Sequence, residues 1–123
     1  MQKNKQLIID FLSSEFYSDV SVFNNYLNPQ AKIEWNGTTG LRELSGVEFS
    51  NLVAEMGKSF EILEFNLHNC IAEGNQVAIS FSYDVKTVES DEVFPLAEFS
   101  CFWEIENELI IKGEMMSHRS HRE

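Results

Sequence analysis

Between Gln76 and Val88 the chain alternates with period two, placing Val77, Ile79, Phe81, Tyr83 and Val85 on one side and Ser80, Ser82, Asp84 and Lys86 on the other. Successive side chains of an extended backbone point to opposite faces, so this pattern commits the segment to a β-strand with one apolar and one polar face. The same rule carries the strand pattern in both directions. A segment from about Phe60 to Ala72 meets it through the turn Glu73-Gly74-Asn75, which makes a hairpin. After the acidic loop Glu89 to Val93, a segment from Pro95 to Ile105 carries Ala97, Phe99, Cys101, Trp103 and Ile105 on one face and Glu98, Ser100 and Glu104 on the other. Asn107 turns it into a last strand, Leu109 to Ser117.

The first half follows another period. Leu7, Ile8, Phe11, Leu12 and Phe16 recur at helical spacing, with Asp10, Ser13, Ser14 and Glu15 elsewhere, and predict an amphipathic helix from Lys3 to Tyr17. Ser18 and Asp19 can cap a second, shorter helix that buries Val22, Phe23, Tyr26 and Leu27, and Asn28-Pro29 stops it. Ala31, Ile33 and Trp35 alternate with Lys32 and Glu34 in a short strand from Gln30 to Trp35, closed by the turn signal Asn36-Gly37. The polar stretch through Gly40 and Ser45 reads as a loop. Ser45 with Glu48 three residues on is a capping box, and Val47, Phe49, Leu52, Val53 and Met56 form the stripe of a third helix, with Gly57 suited to its end. The expected fold is α+β, a curved antiparallel sheet packed against three helices from the N-terminal half, in a single domain over residues 1–123.

Ten phenylalanines, with 43% hydrophobic and 12% aromatic residues overall, exclude a disordered chain and supply bulk enough to enclose something. A net charge of -11 repels phosphate backbones and anionic headgroups, so neither nucleic acid nor a membrane surface is an expected partner. Arg119 and Arg122 beside His118 and His121 read as a solvated tail. Cys70 and Cys101 lack CxxC spacing and read as reduced, small apolar residues, which points to a cytoplasmic location. No export signal or membrane anchor is expected, because no apolar run approaches ~18 residues. Glu114, His118 and His121 are not fixed around one ion by a strand-to-tail segment, so no metal is expected, and no Gly-rich phosphate loop suggests a cofactor.

Three stretches carry a family likeness: Tyr26-Leu27-Asn28-Pro29 leading into Ala31-Lys32-Ile33-Glu34-Trp35, the helix start Ser45-Gly46-Val47-Glu48, and the closing Glu104-Ile105-Glu106-Asn107-Glu108-Leu109-Ile110. Together with the order helix, helix, short strand, helix, long meander, they resemble the nuclear transport factor 2-like superfamily, with its SnoaL-like polyketide cyclases, ketosteroid isomerases and scytalone dehydratases. The resemblance implies a cystatin-like α+β roll, a pocket between the concave sheet face and the helices, and a homodimer through the sheet's other face. The apolar face would offer Trp35, Leu63, Phe65, Leu67, Phe81, Tyr83, Phe99, Cys101, Trp103 and Met115. The opposite face would offer Glu64, Asn66, His68, Ser80, Ser82, Glu98 and Ser100.

The family's catalytic groups map onto this chain only in part. Isomerase chemistry needs a carboxylate base and an acid for the enolate oxygen, yet the matching positions hold Trp35 and Phe11. The dehydratases use two histidines on neighbouring strands; His68 matches the first, while Pro95 and Leu96 stand around the second. The cyclases place an acid near the end of the last strand, where Ser117 and His118 stand. Three readings follow. The preferred one is a pocket protein that binds a small, mainly apolar molecule through Trp35, Phe65, Phe81, Phe99, Trp103 and Met115, anchored by hydrogen bonds from Tyr83, Tyr17 or Asn69. The second is a lyase, isomerase or cyclase working by general acid/base catalysis with His68, His118, Glu98 and Tyr83. The third is a homodimeric assembly module with a filled cone, pairing through a face that carries His68, Ser82, Ser100, Phe102 and Met116.

Overall fold

A computed structural model describes residues 2–38 and 40–119. Helix α1 spans Gln2–Leu12, a single 3-10 turn covers Val20–Val22, and a short α2 covers Phe23–Tyr26. Strand β1 is Leu27–Gly37, β2 is Gly40–Ser45, and helix α3 is Gly46–Gly57. The meander follows as β3 Phe60–Glu73, β4 Gln76–Thr87, β5 Phe94–Glu106 and β6 Leu109–Arg119. The strands form one curved, six-stranded sheet in the order β2-β1-β6-β5-β4-β3. All ladders are antiparallel except that of β1 with β6, which is parallel and sets Trp35 beside Met115.

Helix α1 ends at Leu12 rather than running to Tyr17. The Ser13 hydroxyl donates to the Ile9 carbonyl at 2.7 Å and the Ser14 hydroxyl to the Phe11 carbonyl at 2.5 Å, and such local bonds compete with continuation of the helix. Phe16 is nevertheless buried, carried inward by the turns that follow. The second helix is a single turn. Asp19 accepts from the Ser21 backbone N–H and hydroxyl at the start of the 3-10 turn before it, α2 itself has no side-chain cap, and Leu27 already belongs to β1. Pro29 lies within that strand, where the pairing with β6 is irregular between Leu27 and Lys32 and the pairing with β2 has not begun. Proline is tolerated there because no ladder donor is required of it.

The stretch read as a loop is the strand β2. It gave no alternating signal because it forms an edge of the sheet, and most of its residues are exposed. The capping box is present in full: the Glu48 N–H donates to Ser45 Oγ at 3.1 Å and the Ser45 N–H donates to Glu48 Oε1 at 2.8 Å. Phe49 and Val53 face the core, whereas Val47, at the first turn, is exposed.

The apolar rows of β1, β4, β5 and β6 turn toward the helices. Trp103, Phe81, Phe11, Ile8, Ile33 and Ile110 are among the largest fully enclosed side chains, and one continuous cluster joins them. Gly113 makes the packing of Trp103 possible, since a β-carbon there would lie 2.6 Å from Cζ3 and 2.7 Å from Cε3 of the indole. Positive-φ backbone serves the hairpins at Gly40 between β1 and β2, at Gly74 between β3 and β4, and at Asn107 and Glu108 between β5 and β6. Among the described residues no helix is long and apolar enough to cross a membrane.

Candidate ligand cavity

The helix-covered face of the sheet carries Trp35 on β1, Phe81 and Tyr83 on β4, Phe99 and Trp103 on β5, and Met115 on β6. With Tyr17 from the turn after α1, these side chains line a cavity of about 60 Å³. The rings pack against one another at ordinary contact geometry. Phe81 and Phe99 stack at 5.0 Å between centroids, and Trp103 meets Phe11 edge-on at 6.1 Å. Aromatic pairs of this kind contribute about 0.5–1.5 kcal/mol beyond the area they bury. The rings therefore fill most of the cone and leave only a small void.

Two of the expected lining residues lie elsewhere. Phe65 is on the correct face but stands outside the cavity, its ring 5.4 Å from Phe81 and 6.0 Å from Tyr83. Asn69 is exposed on the other face. Between Leu67 and Asn69 the β3–β4 register slips by a residue, so Leu67 pairs with Phe81 and Asn69 with Ser80. This bulge inverts the alternation after His68 and brings Cys70 onto the helix side opposite Ile79. A second slip in β5 turns Leu96 into the cavity beside Ala97. The helices contribute Phe11, Leu12, Phe49, Val53 and Met56 to the lining. The helical stripes of the sequence already contained them, since an apolar helix face must oppose the same sheet face that the strands bury.

Two polar groups of the cavity wall are held in hydrogen bonds. The Tyr83 hydroxyl donates to the Leu12 carbonyl at 2.6 Å, so it satisfies the end of α1. Trp35 Nε1 donates to Ser117 Oγ at 2.8 Å. Trp103 Nε1 is buried and, among the described residues, has no acceptor. Burial pushes the Tyr83 phenol well above its usual range, with smaller contributions from Cys101 and Tyr17. The neighbouring Cys101 thiol is raised far more than that of Cys70, again by burial, with the Met116 backbone pulling slightly the other way.

These shifts fix a sign for stability against pH. The native state holds both protons after an unfolded chain would release them, at ~8.5 for the thiol and ~10 for the phenol, so stability is complete below that range and falls as pH rises through it. Chemical denaturation between pH 8 and 11 should show this decline, and Cys101→Ala should remove its first part. A flat profile in the wild type would mean that these groups are open to solvent.

Of the residues nominated for acid/base work, Tyr83 lines the aromatic cavity, and the other three gather on the opposite, open face. His68 Nε2 lies 3.1 Å from Ser82 Oγ, Ser82 is in register with Glu98, and Glu98 with His118. With Ser80, Ser100 and Met116 they border an exposed depression of about 310 Å³. His118 Nδ1 is 3.2 Å from the Arg119 carbonyl. None of the three reaches the aromatic cavity, because alternation along each strand directs them through the sheet's other side. Among the described residues no group of three potential ligands could hold a metal ion. His121 and Arg122 lie outside the described residues.

Beside the aromatic cavity, and sharing Trp35 and Met56 with it, is a second depression of about 300 Å³ that includes Arg42, Leu52 and Ser117. Arg42 sits on the helix-facing side of β2 opposite Trp35. Nothing in the sequence singles it out, since its segment reads as a loop.

No family profile and no curated protein matches this chain. Solved structures do. AusH from Aspergillus nidulans superposes with a TM-score of 0.78 at 11% identity, over 99% of this chain and 88% of that one. A protein assigned as a SnoaL-like polyketide cyclase from Jannaschia sp. CCS1 gives 0.72 at 13% identity, over 94% and 85% of the two chains. A de novo designed protein with a curved β-sheet gives 0.61 at 12% identity, over 94% and 84%. The chain has the SnoaL-like, nuclear transport factor 2-like α+β fold. That a designed protein shares it shows how little the fold alone says about activity.

Proposed function

We propose that this protein binds a small, mainly apolar molecule whose apolar end occupies the cavity between the aromatic rows and helices α1 and α3. The reading rests chiefly on the lining. Its walls are built from aromatic and aliphatic side chains, and the Tyr83 hydroxyl and the Trp35 indole are held in fixed bonds. The enclosed room is well under the roughly 150 Å³ of an engineered cavity that admits benzene, which favours a chain end or a branched alkyl group over a ring system. With His68, Glu98 and His118 on the far side of the sheet, binding is better supported than acid/base chemistry on the occupant.

Xenon and isobutane under modest pressure, followed through the Trp103 indole N–H and Met115 methyl resonances, test the reading. Both gases should shift these signals, and benzene should do so less. Silence from the wild type toward all three, with benzene entering only a Phe99→Ala variant, would leave a solid cone and overturn it.

The open face supports a second, compatible reading. Ile71 on β3, Phe102 on β5 and Met116 on β6 stand on that side and are 69%, 56% and 51% exposed. A homodimer through this face would cover them, and sedimentation at micromolar concentration should report a dimer; a monomer would count against it.

A further inference from the structure

We infer that the ligand is an anionic amphiphile, a short or branched carboxylic acid whose alkyl end enters the aromatic cavity while its carboxylate sits in the adjoining depression at Arg42. This rests on the reading above and names the ligand class for it. The first observation is adjacency, since Trp35 and Met56 form walls of both spaces and lie between the apolar interior and the outer depression. The second is the chemistry of the rim. Twenty acidic residues give the chain a net charge of -11, yet none of them lines this depression. Arg42 has no carboxylate within 4.0 Å among the described residues.

The third observation is the direction of the Ser117 hydroxyl bond. Its oxygen already accepts from Trp35 Nε1 at 2.8 Å, and among the described residues it donates to nothing, so its own proton is available to an incoming acceptor. A guanidinium and a hydroxyl donor at the mouth of an apolar hole are complementary to one carboxylate joined to one hydrocarbon tail. Charge-assisted bonds of this kind are the stronger ones. A neutral ligand in the same place could accept from Arg42 but would lack the attraction between opposite charges.

The experiment compares 3-methylbutanoate with its neutral isostere 3-methylbutanamide by calorimetry and by the Trp35 indole N–H signal. The acid should bind the wild type about tenfold more tightly than the amide. Arg42→Gln should abolish that preference, weakening the acid far more than the amide at an unchanged melting temperature, and Arg42→Lys should restore part of it. Equal affinities of acid and amide for the wild type, or an unaltered preference in Arg42→Gln, would overturn the inference while leaving an apolar cavity intact. Binding of xenon and isobutane with no binding of either larger probe would overturn it in the same way. If neither probe binds and the neutral gases also fail, the reading beneath it falls as well.

Discussion

Replacing Trp103 by alanine is expected to destabilise the fold by about 3–5 kcal/mol, the range for removing a large aromatic side chain from a tight core. Trp103 is 1% exposed and touches α1 through Phe11, so its loss unseats the helix as well as the sheet. Against a typical total of about 5–15 kcal/mol, such a loss leaves little native protein in reserve. The denaturation midpoint should fall at an unchanged m-value. A double-mutant cycle with Gly113 sharpens the test. In the wild type Gly113→Ala should be unfavourable by about 1–3 kcal/mol, because its β-carbon drives into the indole. In the Trp103→Ala background that penalty should vanish, and equal penalties in both backgrounds would show that the indole is not what Gly113 accommodates.

Gly57→Ala should also be strongly destabilising, against the ordinary sign for a helix. At a compatible site the exchange gains about 0.4–1 kcal/mol by stiffening the unfolded chain. Here the new β-carbon would lie 2.8 Å from the Tyr17 carbonyl carbon, closer still to its oxygen, and 3.1 Å from Tyr17 Cβ. Backbone cannot rotate aside as a side chain does, so the end of α3 must lift off the turn that follows α1. A net loss of about 1–3 kcal/mol or more follows, with exchange protection falling first around Phe16 and Tyr17. A neutral or stabilising result would mean that the two segments are not in contact. The sequence assigned Gly57 to a helix end for its conformational freedom; its structural reason is close approach.

Where the sequence was legible, a period reached far enough to reveal itself. The alternation from Val77 to Val85 identified β4 and its buried face, and the spacing of Leu7, Ile8, Phe11 and Leu12 identified α1. Where it failed, the physical cause was a break in period or an absence of burial. The edge strand β2 buries too little to show alternation. The slip at His68 is invisible to a rule that counts every second residue, and it moved Asn69 out of the lining. The slip before Ala97 brought Leu96 in. The parallel pairing of β1 with β6 left no local trace, because neither strand's pattern specifies its neighbour. For the same reason the sequence could nominate His68, Glu98 and His118 together but could not relate them to the aromatic cavity on the other side of the sheet.

That parallel ladder has a consequence for synthesis. β1 is held in the sheet by β6, and the bond from Trp35 to Ser117 spans 82 residues of chain. Loops of this length close slowly, and topologies rich in distant pairings fold more slowly than those built from neighbours. A nascent chain can complete the β3–β4 hairpin early, but the β1–β2 hairpin must wait for the final strand to leave the ribosome. Until then β1 has β2 on one side and α3 over its inward row, but its other edge is unpaired and is open to capture by other chains.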